Sequence, residues 1–356
     1  MSKIKVAIVG LGFGAEFIPI YQRHPDAELY AICQRNEKSL NEVGDAFGVE
    51  RRFTSFEELI ADPELDAVHI NSPIADHGWM SLDALRAGKH AACTVPMATT
   101  VEECLKIARA SAETGKKYMM METAVYGREF LYARDLVESG KLGKIQFMRG
   151  SHQQNMGLPG WPDYWYGFPP MYYATHAVSP LLALAKTTAE YVVCHGSGRI
   201  SEEYAVKYNS PFAAETSTMK LRDSDLVCED TRSLFDTIRQ YRESFDVYGT
   251  RISFEWEQIA EEGAVIFSGF EDAERIEIPD FAHLLPDEIA PFTTGGVYGE
   301  DHEHTSFIQG AGHGGSHPHM VHEFVSAIVE DRDPTVDAKT AANWTMAGIC
   351  SHESAM

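Results

Sequence analysis

No apolar run in this 356-residue chain approaches the roughly 20 residues that a membrane-spanning helix needs. Basic residues are also scarce: 30 Lys and Arg stand against 53 Asp and Glu, a formal charge of −23. A field of that sign repels nucleic acid and anionic membranes, so neither is expected as a partner. The excess lies mainly beyond Glu122, with 35 acids against 17 bases there and 18 against 13 up to and including it. That distribution argues for a neutral substrate over a phosphorylated one. Six cysteines (Cys33, Cys93, Cys104, Cys194, Cys228 and Cys350) show no C-x-x-C spacing, which speaks against a zinc knuckle or a redox pair and for buried reduced thiols. No basic segment followed by an apolar stretch precedes the first strand, so a cytoplasmic location is expected. Internal repeats and low-complexity linkers are missing as well.

What the chain does have is 44% hydrophobic residues, enough for two domains of ordinary size. Residues 4 to 15 read Ile-Lys-Val-Ala-Ile-Val-Gly-Leu-Gly-Phe-Gly-Ala: a buried parallel strand running straight into a glycine turn. Gly10-x-Gly12-x-x-Ala15 has the spacing of a dinucleotide-binding loop. Gly10 permits the turn, Gly12 lets backbone N–H groups approach a pyrophosphate, and Ala15 lets the next helix pack on the strand. With Phe13 and Gly14 they are the expected phosphate-binding residues, at a helix N-terminus.

The following helix is expected over Glu16 to Arg23 and the second strand over Ala27 to Cys33, ending in Gln34-Arg35. An NAD-specific fold usually places Asp or Glu at that strand end to grip the ribose hydroxyls. Gln34 takes the place here, and Arg35 can face a 2′-phosphate or stack on adenine, so NADP remains an alternative to NAD. Further strands end at Asn71-Ser72-Pro73, with His77 opening the next helix, at Thr94-Val95-Pro96, and at Glu122. Loops at the carboxyl ends of such strands face the ligand crevice, which makes Asn71, Ser72, Pro73, His77, Thr94, Pro96 and Glu122 cofactor-binding candidates. Thr100 is expected to cap a helix over Val101 to Thr114. Strand alternating with helix indicates a doubly wound parallel sheet over 1–123.

From 124 to 356 the texture changes. Helix 128–139 precedes strands at 145–152, 190–199, 214–222, 243–257 and 264–270, with helices only at 174–186, 317–330 and 338–350. This pattern predicts an α/β domain on a large, mostly antiparallel open sheet. A broad open face needs covering, and a second copy of the chain is the expected cover, giving a homo-oligomer.

The order of elements resembles the Gfo/Idh/MocA oxidoreductases, the family of glucose-fructose oxidoreductase and inositol dehydrogenase. Val9-Gly-Leu-Gly-Phe-Gly14, Asn71-Ser-Pro73 with His77, and Ala87-Gly-Lys-His90 before the strand to Pro96 carry the resemblance. It implies an NAD(P)-binding Rossmann fold and hydride chemistry on sugars or cyclitols. Two departures stand out. Thr94-Val95-Pro96 replaces the usual Glu-Lys-Pro, removing a lysine that serves most members in catalysis. Tyr172-Tyr173-Ala-Thr-His176 keeps the histidine of Asp-x-x-x-His and loses the aspartate. Met121-Glu122 with Tyr126, the Tyr-x-Thr-His-x-x-x-Pro pattern at 173–180 and Gly312-His-Gly-Gly315 resemble instead the NAD-dependent glycosidases of glycoside hydrolase family 109.

Tyr173 and His176 are spaced to share one face at a helix start and to address one substrate hydroxyl. The resemblance places them near the nicotinamide with Glu122 as the candidates for the base, with His152 and His313 as outside candidates for that role. His176, whose unperturbed pKa is near 6.5, is the expected base, with Tyr173 and Glu122 as the other catalytic residues. The loop Trp161-Pro-Asp-Tyr-Trp-Tyr-Gly-Phe-Pro-Pro170 offers flat faces for a sugar. Trp161, Trp165, Tyr172, His152 and His313 are accordingly the substrate-binding candidates. His302, His304, His313, His317, His319 and His322 form a histidine-rich segment read as a lid, with no stoichiometric metal expected there. The expected activity is oxidation of a secondary hydroxyl, at carbon 3, of a sugar or glycoside, with NAD(H) preferred because no second basic residue joins Arg35. Redox-assisted glycoside cleavage and a non-catalytic cofactor sensor are the alternatives.

Overall fold

The computed structural model of the protein describes residues 3–239, 241–259, 261–294 and 312–356. They form two compact units: 1–126 with 280–342, and 127–279 with 343–356. The first break falls three residues after the boundary at 123/124 read in the sequence. The described residues 280–294 and 312–342, read there as part of the second domain, belong to the first unit. Met119 bridges Asp337, and the Met120 backbone N–H donates to the Val336 carbonyl at 3.1 Å.

The first unit is built on β1 (Ile4–Val9), β2 (Ala27–Cys33), β3 (Arg52–Phe53), β4 (Ala67–Ile70), β5 (His90–Thr94) and β6 (Tyr118–Met121). Their order is β3-β2-β1-β4-β5-β6, every pair parallel. The strands are short and nearly wholly apolar because helices cover the sheet. Those helices are α1 (Leu11–Gly14), α2 (Ile18–Arg23), α3 (Glu37–Phe47), α4 (Phe56–Ala61), α5 (Ile74–Arg86) and α6 (Val101–Thr114). Local chemistry sets their ends: Asn36, Ser55 and Thr100 accept from the backbone N–H groups of Ser39, Glu58 and Glu103 at 3.0, 3.2 and 3.2 Å. The Thr100 hydroxyl also donates to the Glu103 carboxylate at 2.8 Å, so the expected cap is formed.

The second unit holds α7 (Arg128–Glu138), α8 (Thr175–Ala185), α9 (Glu202–Tyr208) and an eight-stranded sheet. The strands are β7 (Ile145–Gln153), β8 (Ala189–Ser197), β9 (Ala214–Leu221), β10 (Val227–Ser233), β11 (Arg242–Gly249), β12 (Ser253–Glu255), β13 (Ala264–Phe267) and β14 (Ala273–Ile276). The order is β14-β13-β12-β11-β7-β10-β9-β8, antiparallel except for the parallel pair of β7 and β10. The fold class is the one expected, with corrections of detail, among them the short edge strand β14, which the sequence reading did not contain. The strand expected over 243–257 is broken at the turn between β11 and β12. Strand β10 escaped the sequence reading because its inward positions include Asp230 and Arg232, which obscure the apolar alternation. Helix α9 buries none of its residues and so lacks an apolar stripe. In chain order α10 (Gly312–Val329) follows in the first unit, and α11 (Ala338–Ala355) runs from the first unit into the second.

Candidate active site

In the first unit the glycine turn has the geometry that the spacing predicts. Gly10 has φ +84°, and a side chain there would put its Cβ 2.5 Å from the Asn71 carbonyl oxygen. At Gly12 no described atom lies within 4 Å of that position, so the backbone is approachable from outside. These two observations fit a nucleotide pyrophosphate over the loop. Ala15 is buried, and Gly14 lies against Ile8 and Asn71. Phe13 packs edge-on against Phe17, His313 and His317, at 5.4, 5.7 and 5.5 Å between ring centres. Gln34 turns onto the loop, its Oε1 accepting from the Leu11 backbone N–H at 3.1 Å. Arg35 stands beside it at the end of β2.

His77 joins the next two loops. Its Nδ1 donates to the Pro96 carbonyl at 2.8 Å and its Nε2 to the Ser72 carbonyl at 2.9 Å. Burial opposes charge on the ring, yet Cys93 and those two carbonyls raise its pKa to about 9. The Thr94 hydroxyl donates to the Ile70 carbonyl at 3.2 Å. Pro73 opens α5, and Glu122 caps the turn Thr123–Val125, its Oε1 accepting from Ala124 at 3.0 Å.

The described histidines of the histidine-rich segment disperse. His313, in a left-handed turn with φ +50°, meets His317, and His317 lies 3.3 Å from the Glu16 carboxylate. Burial and the neighbouring His313 push His317 well down. His322 Nδ1 and His24 Nε2 are 3.0 Å apart. His302 and His304 lie outside the described residues.

In the second unit three neighbouring strands place Arg232, His152 and Glu243 on one rung of the sheet: β10 pairs Arg232 with His152, and β11 pairs Glu243 with His152. Over that rung lies α8, drawn close at Gly150, where a Cβ would stand 2.0 Å from the Ala177 carbonyl oxygen. The approach brings the His176 ring to 4.8 Å from that of His152. Tyr173 belongs to the turn Pro170–Tyr173 rather than to the helix, but its hydroxyl is 3.4 Å from His176 Nε2. Glu243 Oε1 lies 3.7 Å from His176 Nε2 and 3.9 Å from His152 Nε2, and accepts from the Tyr241 hydroxyl at 2.7 Å.

Arg232, wholly buried, holds this group from behind. Its Nε donates to the Tyr173 carbonyl at 2.8 Å, Nη1 to those of His152 and Ser233 at 3.1 and 2.7 Å, and Nη2 to Gln154 Oε1 at 2.5 Å. Burial lowers its pKa to about 9.

The structure therefore brings Tyr173, His176 and His152 together, and Trp165 joins them with its ring 4.9 Å from Tyr173. Tyr172 goes elsewhere. Its ring packs 5.0 Å from His352, because Glu215 beneath the turn accepts from the Met171 N–H at 2.7 Å and meets His352 Nδ1 at 2.6 Å. Trp161 is half-buried in the loop before Trp165. Glu243, Tyr241 and Arg232 were not singled out in the sequence. Their only signal was polar side chains in strands or, for Tyr241, just before one, which becomes informative once the register is known.

Residues 4–122 match the family model described as an oxidoreductase family with an NAD-binding Rossmann fold. An alpha-N-acetylgalactosaminidase of Shewanella oneidensis is 26% identical over 266 residues, 67% of this chain and 56% of that protein. A glycosyl hydrolase family 109 protein of Shewanella baltica is 32% identical over 155 residues, 41% of this chain and 34% of that protein. The chain thus spans between a third and just over half of these relatives' length. A levoglucosan dehydrogenase solved with NADH and levoglucosan shares the fold, with a TM-score of 0.80 at 18% identity over 99% of this chain and 97% of that one. Over residues 4–122 the chain is thus similar to the Gfo/Idh/MocA oxidoreductase family and its NAD-binding Rossmann fold.

Proposed function

We propose that the protein is an NAD-dependent dehydrogenase that oxidises a secondary hydroxyl, at carbon 3, of a sugar or glycoside. The observation that carries this reading is the buried cluster of Tyr173, His176, His152 and Glu243 in a chain whose first unit has an NAD-binding fold. Bound NAD supplies the acceptor for the hydride. The glycine turn, Gln34, and the loops joined by His77 hold it. His176 accepts the hydroxyl proton, Tyr173 orients that hydroxyl, and the Glu243 carboxylate steadies the imidazolium so formed. This replaces the general base that Val95, at the position where the family resemblance implies a lysine in most members, cannot provide. A positioned base contributes about 10²–10⁴-fold, so His176→Ala is expected to lower kcat by about 10²-fold or more with NAD affinity nearly unchanged. Tyr173→Phe should have a smaller effect. Full turnover by both variants, followed as NADH formation across a panel of sugars and glycosides, would remove this assignment.

The similarity to an alpha-N-acetylgalactosaminidase favours a second reading, redox-assisted glycoside cleavage. Nitrophenyl glycosides separate the two: cleavage without net NADH supports the glycosidase, and a keto sugar with stoichiometric NADH supports the dehydrogenase.

A further inference from the structure

His152, His176 and Glu243 have side-chain exposures of 1, 4 and 13%, and one ligand atom from each lies within 4.8 Å of the other two. At 3.7 and 3.9 Å, the contacts from Glu243 Oε1 to the two imidazole Nε2 atoms exceed hydrogen-bond length. They are close to the separation of atoms that share an ion: ligands about 2.0–2.1 Å from a tetrahedral centre stand roughly 3.3–3.4 Å apart. Completing the set needs the two Glu243 contacts to shorten by about 0.4–0.6 Å and the two imidazole ligand atoms, which lie within 4.8 Å of each other, to close to the same spacing. We propose that His152, His176 and Glu243 bind one divalent transition-metal ion of the zinc class.

The donors support the metal class. Two imidazoles and one carboxylate suit zinc, cobalt or iron, whereas calcium and magnesium want oxygen ligands. Their supports are also in place. Tyr241 donates to the ligating carboxylate, and β7 and β11 fix His152 and Glu243 side by side. The Arg232 guanidinium, committed to carbonyl and amide oxygens, adds positive charge nearby that Glu243 offsets, which limits affinity without removing a ligand.

The site goes beyond the proposed reaction, since binding needs neither sugar nor NAD. Its consequence for turnover does rest on that reading: the ion takes the Nε2 lone pair with which His176 accepts a proton, so metal and catalysis compete.

The test is titration of Co(II) into the tag-free full chain in chelator-treated buffer. Visible d–d absorption is expected to saturate at one equivalent, to be displaced by Zn(II), and to be lost in Glu243→Gln and His152→Gln, with circular dichroism reporting which variants fold. If one variant fails to fold, the other decides. No absorption beyond that of aqueous Co(II) in the unmodified protein overturns the proposal, and so does unchanged binding in a folded variant. Because this readout needs no turnover, its failure is distinguishable from that of the dehydrogenase reading. In activity assays Zn(II) should inhibit, and EDTA should restore the rate; full activity of protein carrying one equivalent refutes the competition.

Discussion

The Leu11 backbone N–H donates to the side-chain oxygen of Gln34 at 3.1 Å, tying the first residue of the glycine turn's helix to the end of the second strand. The residue at the position that would grip a ribose thus also holds the phosphate loop. With Arg35 as the one basic residue that follows Gln34 directly in sequence, NADH should bind more tightly than NADPH in fluorescence titrations. Gln34→Ala removes one hydrogen bond, about 0.5–1.5 kcal/mol, and should weaken NADH several-fold. Tighter binding of NADPH would contradict this.

Gly150 fixes the distance between α8 and the sheet. Alanine there puts a methyl group 2.0 Å from the Ala177 carbonyl, and backbone must move to admit it. Overpacking of this kind costs about 1–3 kcal/mol. Urea unfolding of Gly150→Ala should show that loss, and because His176 rides on α8, kcat should fall with it. A variant of unchanged stability and rate would mean that the helix has room to shift.

His90 gives the first unit an acid limit. Its Nδ1 accepts from the Lys117 backbone N–H at 3.0 Å, which requires the ring to be unprotonated at that nitrogen. Burial, with the Lys116 ammonium, lowers its pKa from 6.5 to about 4. Between those values the unfolded chain binds more protons than the folded one, so this stabilisation is present above pH 6.5 and is lost as pH falls through about 4. The melting temperature should drop over that interval, and less steeply in His90→Gln. Equal slopes would assign the acid sensitivity to other groups, such as His24, which burial and His322 also lower to about 4.

The sequence by itself determined the parallel sheet in the first third of this protein. Glycine spacing, capping residues and short apolar strands are signals carried within a few neighbouring residues, so β1 with its turn, the Thr100 cap and the parallel sheet were all legible. Tyr173 and His176 were legible for the same reason, three positions apart. The rest of their cluster was not. Arg232 reaches His152 across 80 positions of chain, and Glu243 joins it through a different strand pair. Strand register is decided by pairing between distant segments and by the close approach of α8 at Gly150, neither of which leaves a local pattern. The same cause separates Tyr172 from its neighbour: the turn sends one tyrosine toward His176 and the other toward His352, and only the packing around Glu215 and Arg232 decides which goes where.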